Sequence, residues 1–121
     1  MTGLDTNVLL GWMLQGQAVT LPKDKPYMIA YVVLAELVWV LRGSLKRPKA
    51  EIVSTLKRIV DLPDISLPDR TLVSQAVTDY ESGSADFSDY LINRCNETCG
   101  CNTTYTFDRK AARESGFTLL N

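Results

Sequence analysis

Apolar residues along this chain fall either in short continuous runs or in longer stretches with helical spacing. Five short runs predict β-strands, at residues 1–4, 27–30, 65–67, 103–107 and 117–120. Between them the spacing predicts helices, over residues 8–14, 32–41, 48–62, 68–82, 86–100 and 109–114. Strands that alternate with helices predict an α/β fold with a mainly parallel central sheet. We therefore interpret residues 1–121 as a single domain.

Two of these helices show their buried face clearly in the pattern. Residues 50–60 carry apolar side chains at amphipathic spacing, namely Ile52, Val53, Leu56, Ile59 and Val60. Residues 68–82 do the same with Leu72, Val73, Ala76, Val77 and Tyr80. The segment 32–41 is instead apolar nearly all round, which predicts a buried helix ending near Gly43. Trp12 and Trp39 stand at apolar helical positions and are predicted to lie in the core.

Composition narrows the class of protein without naming its activity. Charged residues make up 22% of the chain and its formal net charge is −1, so no global field attracts nucleic acid. Basic residues nevertheless concentrate at 42–58 and at 109–113, which fits either a solvated helix surface or phosphate contacts. The first residues lack the features of a signal peptide, and the apolar runs are too short to span a bilayer. We expect a cytoplasmic protein without membrane contact.

Three cysteines, Cys95, Cys99 and Cys101, cluster near the end of one predicted helix. An odd number in so short a stretch argues against a disulfide framework. A structural zinc site normally needs four thiolate or imidazole ligands, and the chain contains no histidine. We interpret these cysteines as small buried residues with one exposed thiol.

Five acidic residues stand where a carboxylate is locally awkward: Asp5, Glu36, Asp86, Asp89 and Asp108. Asp5 and Asp108 follow predicted strands, and such positions in a parallel sheet line the crevice where ligands bind. Glu36 interrupts the apolar helix, while Asp86 and Asp89 share one face of theirs. Clustered carboxylates must protonate or bind a cation. Without histidine, the predicted cation is Mg²⁺ or Mn²⁺, which prefer oxygen ligands.

Each acid also has a purely structural interpretation. Asp5 and Asp108 could be helix N-caps, and Asp86 could be a charge favoured by the N-terminal end of a helix dipole. Glu36 fits such an explanation least, because a lone glutamate in an apolar helix needs a partner. These alternatives stay open on the sequence alone.

Four segments, in this order, resemble the PIN domain, and more narrowly the VapC-type toxins of bacterial toxin–antitoxin pairs. They are Leu4–Asn7, Val33–Leu41, Asp86–Ile92 and Thr106–Lys110. The resemblance implies a three-layer α/β/α sandwich and an Mg²⁺- or Mn²⁺-dependent ribonuclease. It assigns the metal to Asp5, Glu36, Asp89 and Asp108, with Asp86 as an outer ligand. Asn7 and Thr106 resemble the polar residues that orient the first and last acids.

The resemblance therefore implies an endoribonuclease that cleaves RNA phosphodiesters with metal-activated water, in which Arg109 or Lys110 steadies the phosphate. It also implies a homodimer silenced by a VapB-type antitoxin. Alternatives are an RNA-processing nuclease without an antitoxin, a degenerate RNA-binding module, and a phosphotransfer receiver or a phosphatase-like α/β domain. A receiver needs paired acids and a lysine, which this chain matches poorly. Ala30, where relatives carry serine, and the pair Asn93–Arg94 depart from the family pattern.

Overall fold

The computed structural model describes residues 1–121, except the side chain of Gln17. The chain divides into two compact units, residues 1–70 and residues 71–121, and each is described by itself. Over the described residues, no helix combines the length and hydrophobicity needed to cross a membrane. The predicted single domain 1–121 stays a prediction.

The first unit contains a small parallel sheet of three strands. The strands are β1 (Thr2–Gly3), β2 (Tyr27–Met28) and β3 (Ile65–Ser66), in the order β1-β2-β3. Thr2 pairs with Tyr27, which in turn pairs with Ile65. The Leu4 amide donates to the Met28 carbonyl at 3.1 Å, so the pairing extends to the residue before Asp5. The strands form where the sequence predicts them, though each is shorter.

Three helices accompany this sheet, namely α1 (Thr6–Gln15), α2 (Tyr31–Trp39) and α3 (Lys49–Asp61). A 3₁₀ turn at Gly16–Ala18 follows α1, and a π-helical turn at Val40–Ser44 extends α2. Pro48 is the N-cap of α3, as its fixed φ suits a helix start. The amphipathic prediction for α3 is confirmed for Ile52, Val53, Leu56 and Ile59, which are buried, whereas Val60 is half-buried.

The prediction of a helix buried all round is wrong for α2. Val33, Leu34, Leu37 and Val38 are buried. Val32 and Trp39, however, expose 64% and 81% of their surfaces, and Glu36 is exposed between them. These three residues are spaced i, i+4 and i+7, so they form one stripe along the helix. Trp39 is therefore not a core residue, while Trp12 is half-buried and packs edge-on against Tyr27 at 5.5 Å.

The second unit contains two longer helices and a two-stranded parallel sheet. Its elements are α4 (Arg70–Ser82, whose first residue belongs to the first unit), α5 (Phe87–Thr98), β4 (Thr104–Thr106), α6 (Arg109–Ala112) and β5 (Phe117–Leu119). All five apolar residues predicted to face inward from α4 are buried. Tyr80 of α4 meets Phe87 of α5 edge-to-face at 5.7 Å, a favourable ring geometry.

The predicted α/β class and the parallel pairing are confirmed. The five strands, however, pair as one sheet of three and one of two, so a single central sheet is not confirmed. The three cysteine thiols are free, and Cys99 and Cys101 are both exposed, against the prediction of one exposed thiol. Cys95 is half-buried.

Candidate functional site

In the first unit, one threonine residue links two of the predicted metal ligands. Asp5 is the N-cap of α1, and its Oδ1 accepts a hydrogen bond from the Thr6 amide at 2.7 Å. The buried Thr6 side chain donates from Oγ1 to Oε1 of Glu36 at 3.1 Å. Since α1 follows β1 and α2 follows β2, neighbouring parallel strands bring these residues together. We call Asp5, Thr6 and Glu36 the threonine-bridged pair.

Thr6 is a functional candidate that the sequence analysis missed. Its neighbour Asn7 was predicted to orient the first acid, but Asn7 lies exposed on α1, and the hydroxyl that reaches Glu36 belongs to Thr6. The sequence carried one usable signal. Glu36 needs a hydrogen-bond donor, and a threonine directly after a strand-end acid can supply it.

In the second unit, Asp86 and Asp89 stand at the start of α5. Asp86 is the N-cap, and the Asp89 carboxylate accepts from the Asp86 amide at 3.2 Å in a capping box. Such boxes satisfy backbone donors that a helix start leaves without partners. The structural interpretation of Asp86 is thus supported, and the same bond gives Asp89 a capping role.

Asp108 stands directly after β4 and Phe107, and caps α6. Its Oδ1 accepts from the Lys110 amide at 2.8 Å, while its own amide donates to Oγ1 of Thr106 at 3.0 Å. Thr106 therefore holds the backbone of Asp108. The cap uses only Oδ1 of Asp108, so the other carboxylate oxygen, Oδ2, remains available. The cap role that the sequence left open is real, and one carboxylate can serve both as a cap and as a ligand.

Electrostatics tie the acids of the second unit together. Burial raises the pKa of Asp89 above its ordinary value, and the nearby charges of Asp86 and Asp108 raise it further, against a hydrogen bond from the Asp86 backbone. Three carboxylates that repel one another are most easily relieved by a cation. We call Asp86, Asp89 and Asp108 the carboxylate triplet.

Four of the five predicted acids lack a cationic partner. Among the described residues, no lysine or arginine forms an ion pair with Asp5, Glu36, Asp89 or Asp108. Other acids do have such partners, for example Asp64 with Lys25 at 3.0 Å and Asp79 with Arg94 at 2.7 Å. These four carboxylates thus offer the oxygen donors that Mg²⁺ prefers, and no positively charged side chain pairs with them among the described residues.

The side chains are not arranged as a closed metal site. Within neither unit do the described residues gather three or more acidic or thiol groups in a metal-binding cluster. The donor set therefore fits a hard cation by its chemistry, while the ligand geometry is not assembled. Arg109 and Lys110, the predicted phosphate contacts, are exposed at the start of α6.

A buried tyrosine network braces the start of α5 that carries two of the triplet acids. The Tyr90 hydroxyl accepts from the Ala85 amide at 3.1 Å, and Glu114 accepts from the Ser84 amide at 2.9 Å. Burial raises the pKa of Tyr90 to about 12, and a hydrogen bond to Glu114 adds to that rise. The pKa of Glu114 is lowered, first by the Ser84 amide. The segment leading into α5 is therefore held on both sides.

An open cavity of about 240 Å³ lies beside this network. It is lined by polar residues such as Asn93. Arg94 and Asp79 also line it, and Arg94 donates to Asp79 in two hydrogen bonds of 2.7 and 2.9 Å. Burial opposes the charge of Arg94, but the hydrogen bond to Asp79 dominates and raises its pKa. The predicted metal ligands do not line this cavity, and its charges largely satisfy one another.

No family model, curated protein or solved structure matches this chain. The geometry of the threonine-bridged pair and of the carboxylate triplet is therefore the basis for the function proposed below.

Proposed function

We propose that this protein is an Mg²⁺-dependent endoribonuclease of the VapC type, built on a PIN-like three-layer fold. The observation that carries the proposal is that, among the described residues, Asp5, Glu36, Asp89 and Asp108 form no ion pair with a lysine or arginine. The alternative metal Mn²⁺ fits the same oxygen donors. Activity is proposed to depend on both the threonine-bridged pair and the carboxylate triplet.

The chain's own residues supply the positioning in this proposal. Asp5, Glu36, Asp89 and Asp108 hold the cation, with Asp86 as an outer ligand. Thr6 orients Glu36 through its hydroxyl, and Thr106 steadies the turn that presents Asp108. Bound Mg²⁺ supplies Lewis-acid activation of water and neutralises charge on the scissile phosphate. Arg109 and Lys110 contact the phosphate through exposed, unpaired charges.

The proposed protein partners are a second copy of the chain and a VapB-type antitoxin. Val32 and Trp39 on α2 support a protein contact. Large apolar side chains that are exposed along one side of a helix often mark a protein–protein interface. Trp39 would be the anchor, since tryptophan is enriched at the centre of interfaces. The cytoplasmic location remains part of this proposal.

The test is to incubate the purified chain with total RNA in Mg²⁺, in Mn²⁺ and in a chelator, and to map the cut ends. We expect endonucleolytic cuts only with the metals. Asp5→Asn and Asp108→Asn keep the capping oxygen but remove charge, so cleavage should fall by at least about 100-fold while the fold persists. Asp61→Asn, at an exposed acid that ends α3, is the matched control and should cut normally.

Two results would contradict the proposal. Cleavage that persists in chelator would remove the metal mechanism, and full activity of both Asp5→Asn and Asp108→Asn would remove the assigned site. A third result would favour the binding-module alternative, namely tight RNA binding by the original chain with no cutting in either metal.

A further inference from the structure

The sheet of the second unit presents an uncovered face rich in apolar side chains. Tyr105 pairs with Thr118 in the register of β4 and β5, and both are exposed. Phe107 and Leu120 each come directly after the end of their strand, two residues beyond Tyr105 and Thr118, and both are exposed. The Leu120 amide donates to the Thr106 carbonyl at 2.8 Å, so the pairing extends this far. We call Tyr105, Phe107, Thr118 and Leu120 the aromatic face.

Its two rings are presented to solvent and not to the core. Tyr105 is 63% exposed and Phe107 is 76% exposed, whereas Leu120 is 46% exposed. Neither ring contacts another aromatic ring among the described residues. Tyr105 and Phe107 are two residues apart, so their Cα atoms lie at most about 7 Å from each other and the two rings offer neighbouring platforms.

Positive charge borders the aromatic face at its Phe107 end. Arg109, Lys110 and Arg113 follow Phe107 within six residues, and all three are exposed. Over the part of the chain that the structure describes, none of them forms an ion pair. Exposed rings beside unpaired cations are what a single-stranded nucleic acid binds, because bases stack on the rings and phosphates meet the charges.

We propose that the aromatic face is the RNA-binding platform of this protein, on which bases of a single strand stack on Tyr105 and Phe107. This inference rests on the proposed ribonuclease function and names how the substrate is held. Phe107 directly precedes Asp108, so a base stacked on Phe107 brings its phosphate next to a proposed metal ligand. Phe107 is thus a positioning residue, and the substrate class is unpaired RNA.

The test measures binding without chemistry. A fluorescein-labelled single-stranded RNA of about 12 nucleotides, within the usual span of such sites, is titrated in chelator at low salt and followed by anisotropy. Phe107→Leu keeps apolar bulk but removes the ring, and should weaken binding roughly 5- to 100-fold. Phe107→Trp should bind at least as tightly as the original. Leu45→Ala removes an exposed leucine that lies outside the aromatic face; it is the matched control and should change affinity less than about twofold.

An abasic strand of the same length separates stacking from charge. The original chain should bind the abasic strand at least as weakly as Phe107→Leu binds the intact strand, because stacking on both rings is lost. Phe107→Leu should not weaken binding of the abasic strand any further. Equal binding of the abasic and intact strands by the original chain would overturn the proposal, because only phosphates would then be contacted. Unchanged RNA affinity of Phe107→Leu would overturn it as well.

Two further readouts keep this inference distinct from the proposed function. If the original chain cuts RNA and Phe107→Leu binds it normally, the platform is wrong while the ribonuclease stands. If the original chain neither binds nor cuts RNA, both fail together. A dimer that dissociates in Phe107→Leu, with RNA affinity unchanged, would assign the face to a second copy of the chain and overturn the platform.

Discussion

The two units position their acids by different physical means. In the first, a single buried residue, Thr6, holds both carboxylates: its amide donates to Asp5 and its hydroxyl donates to Glu36. In the second, Asp86, Asp89 and Asp108 each take part in capping a helix, and burial, followed by the nearby charges of Asp86 and Asp108, raises the pKa of Asp89. The first arrangement is held by hydrogen bonds within the chain, whereas in the second a partly buried carboxylate lies near two further negative charges. A cation should therefore act more strongly on the triplet than on the pair.

The largest expected effect is on the stability of the second unit. It tests whether the bond between Tyr90 and the Ala85 amide holds the start of α5. A Cβ added at Gly83 would lie 1.9 Å from the Tyr90 hydroxyl oxygen, and Tyr90 is buried. Gly83→Ala should therefore displace Tyr90, break its bond with the Ala85 amide, and lower the free energy of unfolding by about 2–4 kcal/mol. Urea denaturation measures this loss.

Gly43→Ala is the matched control for that substitution. A Cβ at Gly43 meets nothing within 4 Å, so the stability should stay the same or rise slightly. If Gly83→Ala were as stable as Gly43→Ala, the bond between Tyr90 and the Ala85 amide would not hold the start of α5.

The intermediate effect tests the threonine-bridged pair. Thr6→Val keeps the shape of the side chain but removes the hydroxyl that donates to Glu36. The free energy of unfolding should fall by about 1 kcal/mol, since the lost bond is to a charged but exposed acceptor. The concentration of Mg²⁺ needed for half-maximal RNA cleavage should rise. Thr6→Ser restores the hydroxyl and should recover the metal dependence; if it does not, the bridge is not what orients Glu36.

The smallest effect concerns the protonation of Asp89. Because its folded-state pKa is raised, the carboxyl favours the folded state at acidic pH, and that contribution is lost as pH rises through the raised value. Asp89→Asn does not titrate, so its stability relative to the original should increase between pH 3 and neutrality, by less than about 1 kcal/mol because the group is partly exposed. Urea denaturation across this pH range measures the difference.

Added Mg²⁺ sharpens the same prediction. A cation bound near the triplet should stabilise the original chain, in proportion to its occupancy, and should leave Asp89→Asn largely unaffected. A stability difference that is independent of pH would contradict the raised pKa, and an equal response of both proteins to Mg²⁺ would remove Asp89 from the cation site.

Local chemistry made several features predictable. The spacing of Ile52, Leu56 and Ile59 defines the buried face of α3, because a helix repeats every 3.6 residues and only one side meets the core. Asp108 was predicted both as a strand-end acid and as a possible cap, and it is the N-cap of α6, two residues after the end of β4. These features depend on neighbours within one or two turns, which the sequence contains directly.

Tertiary packing decided the rest. Hydrophobicity alone marked Val32 and Trp39 for the core, yet an apolar residue is buried only where another element covers it, and both are exposed. The bond from Thr6 to Glu36 spans 30 residues and follows from the parallel pairing of β1 with β2. The sequence by itself determined the order of elements, the buried faces of α3 and α4, and the acids worth considering. Only the structure decided which side chains meet across that order, because such contacts arise from packing between segments that are distant along the chain.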